Sequence, residues 1–117
     1  MAEKLDKVWG TTECLLLLPS IQVHRIKFKR GGVCSLHYHK ARYNAFYVIS
    51  GRLDVLHVHG LGVDQRDMLQ PGQLSVVPPE VLHRFEAVTD GEALEIYFPA
   101  EVQAGDIVRL TQGFMTR

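Results

Sequence analysis

The chain is poor in the features that would assign it quickly. It has two cysteines in 117 residues, Cys14 and Cys34, too far apart for a redox pair or a zinc knuckle. Both are therefore expected to be free thiols. Net charge is absent as well: thirteen Lys and Arg balance thirteen Asp and Glu. This excludes the strong basic field of a general nucleic-acid binder. Long apolar runs are missing too. The longest aliphatic stretch, at 15–18, is far too short to cross a membrane, and the start MAEKLDKVWG has no signal-like apolar core. A soluble cytoplasmic protein with neither a nucleic-acid nor a membrane partner is expected. No segment carries the period of a long amphipathic helix, and one domain spanning 1–117 is expected from the length.

What is present is β-rich and closely punctuated. Turn signals recur about every eight to twelve residues. They include Pro19-Ser20, Gly31-Gly32, Gly51, Gly60, Pro71-Gly72, Pro78-Pro79 and Asp90-Gly91. Between them lie alternating or β-branched runs, with 11–18 and 21–30 reading as a strand pair around a turn. An antiparallel β-sandwich or barrel follows, with two similarly punctuated halves, roughly 31–59 and 72–98, hinting at a jelly roll, Trp9 covering one edge of the core, 106–110 as a final edge strand and a frayed end beyond it.

The chemistry concentrates in 31–51, GGVCSLHYHKARYNAFYVISG. His37 and His39 are two apart, so a strand turns both imidazoles to one face, about 6–7 Å between Cβ atoms. One metal ion can share them. Strand parity points Cys34 away from that face and puts Phe46 on the side of Asn44. His83 lies downstream behind its own glycine–proline signal. A second pair, His57 and His59, sits at a strand end without a supporting third ligand, and His24 is isolated and structural. Asp64, Arg66 and Asp67 read as a polar turn. Near the mouth, Lys40, Arg42, Tyr43, Tyr47, Arg52 and Arg84 could meet a phosphate or carboxylate, or be solvated.

Two spaced motifs carry a family resemblance. Gly31, five residues, His37-Tyr38-His39, four residues, Asn44, six residues and Gly51 resembles the first cupin motif, with Asn44 at its usual glutamate position. Gly72, five residues, Pro78-Pro79-Glu80, two residues and His83 resembles the second, with Glu80 in place of its glycine and Ala87 in place of its asparagine. Within the cupins the flanks are most similar to the carboxy-terminal domain of mannose-6-phosphate isomerase/mannose-1-phosphate guanylyltransferases. The matching features are Val8-Trp9-Gly10, Ser35-Leu36, Val48-Ile49-Ser50-Gly51, Val77-Pro78 and Asp106-Ile107-Val108-Arg109-Leu110.

The resemblance implies a double-stranded β-helix, the jelly-roll barrel of the cupins. It implies a divalent metal (zinc, iron, nickel or manganese) at His37, His39, Asn44 and His83, a small-molecule ligand and a homodimer. Asn44 removes a ligand charge and a proton carrier, which leaves Glu80 as the candidate catalytic base. Three functions fit. The first is a sugar or sugar-phosphate isomerase, the second a three-histidine non-haem iron dioxygenase, and the third a binding module without turnover.

Overall fold

The computed structural model describes residues 4–59, 62–99 and 106–116, except the side chains of Val63 and Asp64. The expected bend at Gly60 and the start of the tail at 101–105 lie outside them. Among the described residues there is no helix, and the strands form two antiparallel sheets. The punctuation predicts an antiparallel sandwich or barrel, and the two sheets take the jelly-roll form that the resemblance implies.

The first sheet has six strands. It contains β1 (Lys4–Lys7), β2 (Gly10–Leu18), β3 (Ile21–Phe28), β6 (Tyr43–Ser50), β9 (Leu74–Val77) and β11 (Gly91–Phe98), ordered β1-β2-β3-β11-β6-β9. The second has seven. Its main path runs β12 (Ile107–Arg109), β5 (His37–His39), β10 (Leu82–Ala87), β4 (Gly32–Val33) and β13 (Phe114–Met115). The hairpin of β7 (Leu53–His59) and β8 (Gly62–Leu69) joins it through β7, which pairs with β10.

Alternation decides what each sheet turns inward. On the first sheet, Ile26, Ala93 and Val48 stand side by side and are fully buried. Together with Phe46, Val55 and Phe85 they form the core, and Trp9 closes it edge-on against Phe85 at 4.8 Å between ring centroids. Phe46 is completely buried while Tyr47 is exposed, as parity requires. At the turn after β6, Gly51 has φ +76, and a Cβ there would collide with the Asp90 carbonyl, so a side chain is excluded.

Three expectations need correction. The polar start contains a strand, since β1 pairs with β2 from Lys4↔Glu13 to Lys7↔Gly10. The tail is not frayed over its described length: β13 pairs with β4, and the Thr116 amide donates to the Gly31 carbonyl. Arg66 and Asp67 lie on β8, not in a turn.

Candidate metal centre

The second sheet brings the histidines together. In the ladders, His37 on β5 stands opposite His83 on β10, and His83 stands opposite His57 on β7. His39 follows His37 on the same face. All of these side chains are buried. His37, His39 and His83 each offer a ring nitrogen within 4.8 Å of the other two. The convergence predicted from three separate positions is what the fold produces.

The hydrogen bonds fix which nitrogen faces inward. Nδ1 of His37 lies 2.7 Å from the Ser35 carbonyl, and Nδ1 of His83 lies 2.9 Å from the Val81 carbonyl. A carbonyl only accepts, so both Nδ1 atoms carry the proton and both Nε2 atoms keep a free lone pair. In His39 neither ring nitrogen has a hydrogen-bond partner although the ring is buried, and its Nδ1 is 3.5 Å from Asp106 Oδ2. Burial holds all three imidazoles neutral: the pKa falls to about 4 for His37, about 4 for His39 and about 3 for His83, with Arg109 adding to the effect at His37, His37 and Arg42 at His39, and the other histidines His37, His39 and His57 at His83. Neutral imidazoles with outward-facing protons are what a cation needs.

Asn44 completes this side of the site from the first sheet. Its Oδ1 faces His83 Nε2 at 3.1 Å, so two acceptors meet with no proton between them. A divalent cation shared by both relieves that contact. Orphaned nitrogens on His39 and opposed lone pairs at Asn44 and His83 are the local observations that fit a metal.

Other groups surround the cluster. On the first sheet Asn44 stands opposite Tyr97, and Phe46 opposite Glu95. Asn44 Nδ2 donates to Glu95 Oε2 at 3.4 Å. Burial raises the Glu95 carboxyl above the usual range, partly offset by hydrogen bonds from Tyr97 and Asn44. Arg42 stacks over Tyr97 at 4.5 Å and bonds Asp106 at 3.2 Å, tying the carboxylate beside His39 in place. A cavity of about 370 Å³ opens onto this region. His37, Glu95, Trp9, Cys34 and Phe85 line it, with Lys7 and Arg109 among its exposed residues.

Several sequence expectations land elsewhere. Glu80 is exposed on its turn at φ 70 and does not line the cavity; its contribution is a backbone amide bonded to the His39 carbonyl at 2.7 Å. Cys34 does not face away. The chain leaves strand geometry at 34–36, so parity is lost and the thiol turns inward, where the Phe85 amide meets it at 3.1 Å and burial pushes its pKa to about 12. Such a thiol is inert. His57 is buried and tied to Asp67 and Ser75 at 3.2 and 3.3 Å, which is a structural network. His24 bonds Gln22 and Thr12, as a structural residue does. Arg52 and Arg84 pair with Asp54 and Glu86. Glu95, Tyr97 and Asp106 were not singled out for chemistry in the sequence.

Two facing antiparallel sheets with an interior three-histidine cluster define a double-stranded β-helix with the means to hold a metal. Residues 8–116 match the cupin family, and the chain belongs to it. No curated protein sequence matches the chain. Among solved structures it is similar to KdgF from Halomonas sp., at 22% identity and TM-score 0.74, covering 85% of this chain and 87% of that one. It is also similar to oxalate decarboxylase from Bacillus subtilis, at 20% identity and TM-score 0.79 over 93% of this chain. A second structure of that enzyme, from work on its Mn(II) centres, gives TM-score 0.78 at 20% identity. The chain spans only 30% of the decarboxylase. At these identities the likeness is one of fold.

Proposed function

We propose that this protein is a metal-dependent cupin acting on a small hydroxylated substrate, a sugar or sugar phosphate, by proton transfer between adjacent carbons as in aldose–ketose isomerisation. The observation that carries the reading is a buried carboxyl, Glu95, lining the same cavity as His37 and hydrogen-bonded to Asn44 beside His83. His37, His39 and His83 would hold the ion, with the Asn44 amide oxygen as a fourth donor. A bound divalent ion supplies polarisation of neighbouring carbonyl and hydroxyl oxygens. Glu95 takes the proton and returns it. Its pKa, raised by burial, brings it toward the range in which a carboxyl exchanges protons near neutral pH. This assignment replaces Glu80, whose exposed side chain is not among the groups lining the cavity. Tyr97 and Asn44 orient Glu95, while Trp9 and Phe85 make the apolar wall that limits water.

The test is a panel of aldoses and their phosphates incubated with metal-loaded protein in D2O. Deuterium entering the carbon next to the carbonyl, lost in Glu95→Gln at unchanged metal content, is the expected result. Exchange that survives Glu95→Gln would remove the assignment. The neutral ligand set favours a second reading, a three-histidine iron dioxygenase. Substrate-dependent oxygen uptake by the iron-loaded protein, without deuterium exchange, would select it.

A further inference from the structure

We propose that the cavity takes an anionic ligand, a small molecule bearing a phosphate or carboxylate, gripped at the mouth by Lys7 and Arg109. This rests on the reading of the three histidines as metal ligands and names the substrate class of that site. Three imidazoles and an amide bring no negative charge, so a divalent ion would keep both of its positive charges where water screens them poorly. The nearby carboxylates do little to offset them. Asp106 already bonds Arg42 and the Ala41 amide, and Glu95 already accepts from Asn44.

The mouth adds positive charge. Arg109 stands directly opposite His37 in the β12–β5 ladder, on the same face, and its charge acts on His37. Lys7 pairs with Gly10, which in turn pairs with the buried Phe28, and its charge reaches Glu95. Arg25, Lys27, Arg42, Arg52, Arg66 and Arg84 each have a carboxylate partner. Among the described residues Lys7 and Arg109 have none, and both line the cavity that reaches the histidines. A cavity of about 370 Å³ is of the size that encloses a small metabolite.

Calorimetric titration of the metal-loaded full chain tests this with a hexose 6-phosphate, a hexuronate, inorganic phosphate and the uncharged hexose. The anions should bind with affinity that falls as salt rises, and the hexose should bind at least tenfold more weakly. Lys7→Ala and Arg109→Ala should each weaken the anions about five- to tenfold at unchanged metal content. Tighter binding of phosphate or of carboxylate tells which group the mouth prefers. Hexose binding as tight as the anions, variants that bind like the parent, or no binding of any probe would overturn the proposal. Anion binding that depends on Lys7 and Arg109 in a chain that takes up no metal would sink the metal reading and leave the cationic mouth standing.

Discussion

Acidifying the metal-free protein should unfold it, because His37, His39 and His83 stay neutral inside the barrel down to a pKa of about 4, 4 and 3, whereas they titrate at 6.5 in an unfolded chain. Each folded pKa is depressed, so the associated stability is full above pH 6.5 and is lost as pH falls toward 4. In that window the unfolded chain binds protons that the native chain refuses. The limiting slope is about 1.4 kcal/mol per pH unit per proton and the unfolded histidines are half protonated at pH 6.5, so the three together cost roughly 5 kcal/mol between pH 6.5 and 5. Glu95 works in the opposite sense: its raised pKa lets the native chain bind a proton first, which offsets part of the loss. The histidine contribution is a large share of the ~5–15 kcal/mol that holds a domain of this kind together. The assay is urea unfolding of chelator-treated protein at pH 7, 6 and 5, followed by fluorescence of the single tryptophan, Trp9, which is buried. Stability that is flat from pH 7 to 5, or a loss of the same size in His37→Gln/His83→Gln, would refute the reasoning.

Other substitutions probe the same centre. Asn44→Asp adds a ligand charge and should slow metal loss to a competing chelator at least tenfold, while metal-free stability falls about 1–3 kcal/mol because the new carboxylate faces Glu95. Asp106→Asn removes the carboxylate beside His39 Nδ1 and should weaken metal binding about 10–100-fold in chelator competition, with the fold retained by circular dichroism. Phe85→Ala removes a ring packed on both Trp9 and Phe46 and should cost about 3–5 kcal/mol in urea unfolding.

Much of this was legible in the sequence because it depends on local rules. Glycine and proline set the strand rhythm, and a two-residue spacing puts His37 and His39 on one face wherever a strand forms. The spacing from Gly72 to His83 then placed the third imidazole. Residues whose position depends on pairing were not legible. β1 and β13 are short edge strands that exist because β2 and β4 offer partners. Strand parity fails for Cys34 because no strand continues through 34–36. Glu95 and Tyr97 did leave a signal. In Gly91–Phe98 they share parity with Ala93, so a carboxylate and a phenol sit on the apolar side of a strand, where only a functional or fully bonded group is tolerated.

The central claim is that His37, His39 and His83 together hold a divalent ion. Elemental analysis of protein purified without chelator and then offered manganese, iron, nickel or zinc tests it most directly, alongside His37→Ala and His83→Ala. The expected result is one ion per chain in the parent and little or none in either variant. Equal metal content in all three, or none in a folded parent after loading, would contradict the account.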